Sequence, residues 1–580
     1  MKKLLAGLVW IATIISISLP AKAGGLRPTH TAHVMVVSVH HDASDAGVEV
    51  MHRGGNAVDA AVATGFALAV VHPVAGNIGG GGFMLFRSAR GDVHFLDFRE
   101  KAPAAATATM YQDGNGNVVP GLSIIGYKAI GVPGSVAGLV KAQKQWGKLT
   151  LAQDMEPAIR LARDGFTLSY DEARALRDKH LAQFAESRRI FQRDGNYYQS
   201  GEVFQQPELA KTLEAIAKDP EDFYHGAIAK KIAADMRAHG GLITEKDLAD
   251  YEAKERTPIH GTYRGLDVYS APPPSSGGIA LLEMLNILEG YELKRLGSRG
   301  ADSMHLTVEA MKRAFMDRAE FLGDPDFAQI PVAQLIDKKY AEGWRQSIDP
   351  RKTKPAREMR RPTFEGLDQS AHVASPVAEK TQTTHYSVVD AEGNAVAVTT
   401  TLNGGFGSFV TVAGLGFLLN DEMDDFSSKP GVPNMYGLIQ GPANAVGPGH
   451  RPLSAMTPTI VTQDDKLYMV LGSPGGPTII TTVANVLMGV VDYGMDIQQA
   501  VAAPRFHHQW LPDEIQMEPG FSPDTIRLLQ QRGHKTTRSP EDPDDGSYWG
   551  DAECILIDQK TGERLGGQDP RHSYGKAAGY

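Results

Sequence analysis

A β-hairpin about two-thirds of the way along the chain constrains the fold most. Residues 383–389 are rich in β-branched and aromatic side chains, a turn with Gly and Asn follows, and residues 395–401 return as a second strand. If the two residues that flank the turn pair with each other, the same register places Thr383 opposite Thr401. Opposed side chains in a hairpin lie about 5 Å apart at Cβ. Two hydroxyls are therefore predicted to meet where the first strand begins, although an ordinary Thr-rich hairpin also fits these residues.

The first 23 residues have the pattern of a secretory signal peptide. Two lysines precede an apolar run at residues 4–19, and a small-residue cleavage pattern ends at Ala23. The run is short for a membrane span. We therefore expect export to the periplasm, with no membrane segment once residues 1–23 are removed. The net charge of −10, without an extended basic face, argues against nucleic acid as a partner.

Two long segments have contrasting character. Residues from about 139 to 255 show mostly helical periodicity, for example at 151–164, 170–187 and 209–218. Residues about 345–382 instead crowd basic side chains together with few apolar ones before the hairpin. Such composition is typical of a solvated, mobile linker. Because this segment lies directly before Thr383, it could be released by cleavage or could move aside.

Three further segments have more than one interpretation. The glycine-rich residues 76–82 lack the Gly-Lys-Ser/Thr of a phosphate loop, so they indicate close backbone packing or a pocket wall. Arg99 ends an apolar strand. It either forms a surface ion pair or binds a substrate carboxylate with its planar guanidinium. The acidic residues 420–425 lack the spacing of an EF-hand, which leaves a solvated turn or a site for an ammonium group.

Residues 472–476 form a glycine turn between a strand and a helix, where bare backbone N–H groups converge. Because no phosphate-loop lysine follows, an oxyanion hole is the better interpretation. The Pro/Gly-rich residues 430–437 are typical of a lid, with Tyr436 at its tip. Adjacent His507 and His508 point to opposite faces of a strand, and Cys554 is the only cysteine. We expect neither a metal nor a cofactor.

A threonine hydroxyl is a weak nucleophile and needs a base. No Gly-x-Ser-x-Gly or Ser-x-x-Lys motif supplies an alternative nucleophile. Breaking the Gln382–Thr383 bond would give Thr383 a free α-amine with a pKa of about 8, close enough to neutrality to accept the hydroxyl proton. The same hydroxyl could make the cut by attacking the preceding carbonyl. We therefore hypothesise an autocatalytic precursor that becomes an N-terminal-nucleophile enzyme.

From about residue 30 to its end, the chain resembles the γ-glutamyltranspeptidases, also called glutathione hydrolases. Many ordered motifs carry this resemblance, and together they are far more specific than any one of them. They lie at residues 54–61, 77–83, 97–100, 131–134, 272–278, 323–325, 383–390, 420–426, 451–454, 472–476 and 503–508.

The resemblance implies a four-layer αββα sandwich of the α/β (α+β) class, the N-terminal-nucleophile hydrolase fold. It implies self-cleavage into a large subunit, residues 24–382, and a small catalytic subunit, residues 383–580. The two subunits would stay together as a heterodimer and form one αββα domain.

The resemblance also implies roles for individual residues. Thr383 would be the nucleophile with Thr401 as its hydroxyl partner, and Gly475 and Gly476 would form the oxyanion hole. The remaining side chains would bind the γ-glutamyl group: the α-carboxylate at Arg99 and Ser454, the α-ammonium at Asn403, Glu422 and Asp425, and the lid residue Tyr436 over the pocket.

The implied substrates are glutathione and other γ-glutamyl compounds. A γ-glutamyl-Thr383 ester would pass the acyl group to water or to an amino-acid or peptide amine. Ala455 departs from the family pattern, since many members carry a second serine there, and Pro477 and Thr478 replace a common Ser-Arg. Ala455 leaves open a glutaryl- or cephalosporin-type acylase on the same fold. A non-catalytic binding protein that keeps the pocket is a third hypothesis.

Overall fold

The computed structural model describes residues 25–367, 382–538 and 549–580. The strands in these ranges are β1 (Thr29–Thr31), β2 (Met35–Ser38), β3 (Gly81–Arg87), β4 (Val93–Phe98), β5 (Phe166–Thr167), β6 (Val203–Phe204), β7 (Lys254–Arg256), β8 (Ile259–Tyr263), β9 (Leu266–Ser270), β10 (Thr383–Val389), β11 (Ala395–Thr401), β12 (Thr459–Gln463), β13 (Lys466–Leu471), β14 (Phe506–His507), β15 (Ile515–Met517), β16 (Thr536–Arg538), β17 (Cys554–Ile557), β18 (Arg564–Gly567) and β19 (Lys576–Gly579).

The α-helices in the same ranges are α1 (His41–His52), α2 (Ala57–Val71), α3 (Ser135–Trp146), α4 (Leu151–Asp164), α5 (Tyr170–Ala175), α6 (Ala185–Gln192), α7 (Pro207–Lys218), α8 (Asp222–His225), α9 (Ala227–His239), α10 (Glu245–Ala249), α11 (Gly277–Leu288), α12 (Leu293–Leu296), α13 (Ala301–Phe321), α14 (Val332–Leu335), α15 (Lys338–Gln346), α16 (Thr478–Val491), α17 (Ile497–Ala502) and α18 (Pro523–Gln531). Within the described residues, no helix combines the length and apolar character needed to cross a bilayer.

Two seven-stranded sheets form the centre of the molecule. One has the order β1-β18-β17-β13-β12-β9-β8 and the other the order β19-β2-β10-β11-β3-β4-β7. Neighbouring strands in both sheets run antiparallel. The hairpin β10–β11 lies in the middle of the second sheet, so its residues are shielded by neighbouring strands on both sides.

The two sheets face each other across a shared apolar cluster. Met35 and Leu85 of the second sheet meet Ile460 and Val470 of the first in this cluster. Because side chains alternate along a strand, Val36 on β2 points the other way, toward α1 and α2. Helices α11, α13 and α16 cover the outer face of the first sheet in the same manner. The predicted αββα sandwich is therefore confirmed.

The single helix predicted for residues 170–187 is wrong, because the chain forms α5 and α6 with a break between them. The break has local causes. The side-chain amide of Gln192 donates to the carbonyls of Leu176 and Asp178, which the helix would otherwise use. The Asp178 carboxylate accepts from the backbone N–H of His180 at 2.8 Å, an Asx turn that competes with helix continuation.

The prediction of a solvated linker before the hairpin is wrong for part of its length. Ala356, Met359 and Arg361 are buried, and Arg361 forms an ion pair with Asp317 of α13. Arg361 thus anchors this segment to the helix behind it. Other basic side chains of the segment are exposed, namely Arg351, Lys352, Lys354, Arg357 and Arg360. Residues 368–381 lie outside the described residues.

The glycine-rich segment before β3 packs directly beneath the hairpin. A Cβ on Gly80 would lie 2.0 Å from the carbonyl oxygen of Thr401, and a Cβ on Gly82 would lie 2.4 Å from that of Thr399. Such distances are far below van der Waals contact. The close-packing interpretation is confirmed, and these glycines let β3 support the strand that carries Thr401.

Candidate active site

The hairpin has the register that its sequence predicts. All seven residues of β10 pair with the seven of β11, and Thr383 lies opposite Thr401. The turn is closed by Asp390, whose Oδ1 accepts hydrogen bonds of 3.0 Å from the backbone N–H groups of Glu392 and Asn394. The turn therefore fixes the pairing at the far end of the hairpin.

The two threonine hydroxyls meet beside a peptide bond. Thr383 Oγ1 lies 3.1 Å from Thr401 Oγ1, which in turn lies 3.2 Å from the carbonyl oxygen of Gln382. The backbone N–H of Asn403 donates to Thr401 Oγ1 at 2.8 Å. Thr401 therefore has its single proton free to donate, either to Gln382 O or to Thr383 Oγ1. This arrangement places the Thr383 hydroxyl next to a carbonyl that the neighbouring Thr401 hydroxyl can polarise.

Asn403 and Tyr436 close one side of this centre. Asn403 has a left-handed backbone with φ of 78°, and its side-chain amide donates to Asp421 O at 3.0 Å. The hydroxyl of Tyr436 donates to Asn403 O at 2.9 Å and also contacts Asn403 Oδ1. Burial, together with the nearby Asp425 carboxylate, raises the pKa of Tyr436 well above its usual value. Tyr436 therefore remains a protonated donor.

Arg99 follows the end of β4 and is 1% exposed, so the surface ion-pair interpretation is wrong. Its Nη1 pairs with Glu422, its Nη2 lies 2.5 Å from Asp425 Oδ2, and its Nε donates to Pro452 O at 3.2 Å. The planar guanidinium therefore faces two carboxylates at once, the fork geometry that distinguishes Arg from Lys.

The acidic segment is not a solvated turn. Glu422–Asp425 forms one turn of 3-10 helix, and Glu422 and Asp424 are buried. Asn420 orients it, because its Oδ1 accepts from the backbone N–H of Glu422 at 3.1 Å. Two acidic side chains of this turn are thereby aimed at Arg99.

Burial raises the pKa of Glu422 well above its usual value, while Arg99 acts in the opposite direction. Burial likewise raises the pKa of neighbouring Glu100 to about 7. Within the described residues, Glu422 Oε2 has no hydrogen-bond partner. The site thus holds a buried acceptor that a ligand's ammonium group can satisfy.

The glycine turn opens onto the same centre. Gly475 and Gly476 have φ values of 124° and 55°. Thr478, the first residue of α16, donates its N–H and its hydroxyl to Gly475 O at 3.1 and 2.8 Å. In the described part of the chain, the N–H groups of Gly475 and Gly476 donate to no backbone carbonyl. They therefore remain available to an oxyanion.

One pocket brings nine of the ten predicted catalytic and substrate-binding residues together. The tenth, Gly475, does not line the pocket but directly precedes Gly476, which does. The nine are Arg99, Thr383, Thr401, Asn403, Glu422, Asp425, Tyr436, Ser454 and Gly476. The backbone of Ser454 is held by Ser276, whose N–H and hydroxyl both donate to Ser454 O, at 2.8 and 2.6 Å.

Sequence reasoning missed several lining residues, among them Leu438, Met456 and Ile479, and above all Arg318. A signal for Arg318 was present. It stands at helical spacing from the apolar residues Met311, Ala314 and Phe315, and α13 is buried on all sides from Ser303 to Arg318. An arginine in a helix that is buried on all sides needs a partner or a ligand for its charge.

His507 and His508 have separate partners outside this pocket. His507 contacts Thr481 Oγ1 at 3.0 Å and Gln509 Oε1 at 2.9 Å, whereas His508 Nε2 lies 3.3 Å from Asp513. Burial lowers the pKa of His507 to about 3. The two rings therefore serve the packing around β14.

Comparison with known proteins gives a consistent result. A model of the family described as Gamma-glutamyltranspeptidase matches residues 43–580. The glutathione hydrolase proenzyme of Escherichia coli K12 is 48% identical over 558 residues, which cover 96% of this chain and 93% of that relative. That of Pseudomonas sp. A14 is 48% identical over 585 residues, covering 98% of each chain.

Solved structures show the same likeness. A cephalosporin acylase from Bacillus halodurans superposes with a TM-score of 0.80 at 28% identity, covering 98% of this chain and 99% of that one. A gamma-glutamyltranspeptidase from Helicobacter pylori has a TM-score of 0.56 at 44% identity, covering 57% of this chain and 96% of that one. The architecture and the sequence motifs thus point to the same group of enzymes.

Proposed function

The chain belongs to the gamma-glutamyltranspeptidase family, and we propose that Thr383 is the nucleophile with which it matures and then acts on γ-glutamyl compounds. It is an enzyme of the glutathione hydrolase and γ-glutamyltransferase type. The observation that carries the proposal is the contact among Thr383, Thr401 and the Gln382 carbonyl, within the pocket that also holds Arg99 and Glu422.

Maturation would begin with attack of the Thr383 hydroxyl on the carbonyl carbon of Gln382. The C–N bond breaks as the nitrogen takes the hydroxyl proton, and water then hydrolyses the resulting ester. Thr401 supports this step, because its hydroxyl lies within donating distance of the carbonyl oxygen that becomes negatively charged. The products are a large subunit that ends at Gln382 and a small subunit that begins at Thr383, held together as a heterodimer.

The freed α-amine of Thr383, with a pKa of about 8, would serve as the base in the mature enzyme. The hydroxyl attacks the γ-carbonyl of the donor, and the N–H groups of Gly475 and Gly476 stabilise the oxyanion. The donor's amine leaves with the proton, and a γ-glutamyl-Thr383 ester remains. Water or the amine of an amino acid or peptide then accepts the acyl group.

A zwitterionic α-amino-acid group complements the charges of the pocket. Arg99 and Ser454 would hold its carboxylate, and Glu422, Asp425 and Asn403 would hold its ammonium. The Arg99 ion pairs orient the two carboxylates toward the same point. Tyr436 would cover the bound group from the lid.

The acylase alternative has a specific basis in Ala455, which lines the pocket without a hydroxyl, and in the likeness to the Bacillus halodurans acylase. A glutaryl group, however, has no ammonium for Glu422 and Asp425 to bind. Two buried carboxylates aimed into the pocket favour a donor that carries a positive charge.

We expect the mature protein to hydrolyse γ-glutamyl-p-nitroanilide with a kcat/KM at least about 10-fold above that for glutaryl-p-nitroanilide. The two donors differ only in the α-ammonium group, and a hydrogen-bonded charge contact contributes about 1.5–3 kcal/mol. Butanoyl-p-nitroanilide, which lacks both charged groups, provides the baseline rate. A preference for the glutaryl donor would establish the acylase alternative instead.

Delivery to the periplasm and removal of residues 1–23 belong to the same proposal. The supporting feature is the charged, apolar and small-residue pattern of the N-terminus. Residues 1–24 lie outside the described residues.

A further inference from the structure

Arg318 is a cation in the pocket that the proposed mechanism does not use. It lies near the end of α13, one helical turn from Phe315 and two turns from Met311, and is 2% exposed. Its side chain reaches the pocket that Thr383 and Ser454 line. A fully buried arginine is costly unless its charge and its donors are satisfied.

The guanidinium of Arg318 is only partly satisfied. Its Nε donates to Ser276 Oγ at 2.9 Å, and Ser276 in turn donates to Ser454 O. Among the described residues, Arg318 Nη1 has no hydrogen-bond partner. Burial lowers the pKa of Arg318 to about 10, with Asp425 acting in the opposite direction, so the side chain remains charged at neutral pH.

Other arginines of similar burial are paired. Arg99, Arg313, Arg451 and Arg505 each form an ion pair with a carboxylate. Within the described residues, Arg318 forms none at ion-pair distance. Of these five buried arginines, Arg318 is therefore the one whose positive charge is available to a bound ligand.

The neighbouring residues indicate what that ligand group is. Ala455 lines the same pocket and has no hydroxyl, so its side chain supplies no second hydroxyl donor next to that of Ser454. Glu422 and Asp425 are already engaged by Arg99. The unpaired donor is Arg318 Nη1 and the unpaired acceptor is Glu422 Oε2, a combination that matches one carboxylate and one ammonium group.

We propose that Arg318 binds the α-carboxylate of the γ-glutamyl donor, as a second guanidinium beside Arg99, where Ala455 supplies no hydroxyl. This assignment rests on the proposed function and names a specificity-determining residue for it. A donor without an α-carboxylate gains nothing from Arg318. A donor without an α-ammonium group still gains affinity from Arg318, because it keeps the carboxylate.

The test compares three p-nitroanilides on purified, self-cleaved protein: γ-glutamyl, glutaryl, which lacks the ammonium, and 4-aminobutanoyl, which lacks the carboxylate. We expect Arg318→Met to raise KM for the γ-glutamyl and glutaryl donors about 10- to 100-fold, the range for losing a charged hydrogen bond. KM for the 4-aminobutanoyl donor should change less than about twofold. Arg318→Lys, which keeps the charge without the fork, should give an intermediate increase for the two carboxylate donors.

Arg299→Met is the matched control. Burial also lowers the pKa of Arg299 to about 10, and this side chain bonds to Pro504 O and Ser298 Oγ away from the pocket. We expect it to leave all three KM values unchanged. Equal KM increases for all three donors in Arg318→Met, or no increase for any, would overturn the assignment.

Further results separate a failure of the Arg318 assignment from a failure of the proposed function. If Arg318→Met is not recovered as cleaved protein, Arg318→Lys carries the test, and an unchanged KM for its carboxylate donors overturns the assignment. If the cleaved wild-type protein hydrolyses none of the three donors, the proposed function fails. If wild type hydrolyses the γ-glutamyl donor and the variants show no carboxylate dependence, only the role of Arg318 fails.

Discussion

Thr383→Ala is expected to remain one uncut chain and to lose γ-glutamyl hydrolysis by at least about 10⁴-fold, the scale seen when a nucleophile is removed. The hydroxyl of Thr383 is the atom that would attack the Gln382 carbonyl and later the donor, so a single substitution removes both reactions. The paired hydroxyl of Thr401 cannot replace it, because Thr401 lies within β11 and carries no free amine after cleavage. Denaturing electrophoresis and a γ-glutamyl-p-nitroanilide assay measure the two losses.

Thr384→Ala is the matched control for this substitution. Thr384 is also a buried threonine of β10, but its side chain points to the opposite side of the strand, and its Oγ1 has no hydrogen-bond partner among the described residues. We expect Thr384→Ala to cleave and turn over like wild type, and Thr383→Ser to retain both reactions. Normal splitting of Thr383→Ala would refute the assignment of the nucleophile. Wild-type protein that stays full length would instead favour the non-catalytic hypothesis.

The sequence was most informative where a short-range rule determines geometry. The register of Thr383 against Thr401 follows from the length of a turn and the period of a strand, so the opposed hydroxyls could be predicted before any tertiary structure. The glycine turn between β13 and α16 could be predicted for the same reason, since strand, glycines and helix are consecutive. Both predictions depend on neighbours along the chain.

Contacts between residues far apart in the sequence cannot be predicted from such short-range rules. Arg99 and the acidic segment each had two interpretations, because their burial depends on one another across more than 300 residues. The linker was predicted to be solvated because its composition is basic, yet Arg361 is neutralised by Asp317. Arg318 was missed because helical spacing does not show which residues from elsewhere in the chain lie against a side chain.

Gly475→Ala is expected to lower kcat for the γ-glutamyl donor about 10²- to 10³-fold, the effect of losing one oxyanion-hole donor. Gly475 has φ of 124°, where a side chain is strained, and an added Cβ would lie 2.4 Å from Thr478 Oγ1. The Thr478 hydroxyl donates to Gly475 O. Relieving the clash therefore turns the Gly475–Gly476 peptide and redirects the N–H of Gly476. KM should change little, because Arg99 and Glu422 keep their positions.

Self-cleavage gives this substitution a second, independent outcome. In the uncut chain the Gln382 carbonyl lies within donating distance of Thr401 Oγ1, so maturation should proceed in Gly475→Ala while turnover falls. Gly494→Ala is the matched control, because Gly494 also has a positive φ, of 67°, but an added Cβ there meets nothing within 4 Å. It bears only the backbone strain, about 1–2 kcal/mol, and is not one of the residues that line the pocket. A Gly475→Ala variant that changes KM and not kcat, or a Gly494→Ala variant equally slow, would show that the glycine turn supports the fold and not the oxyanion.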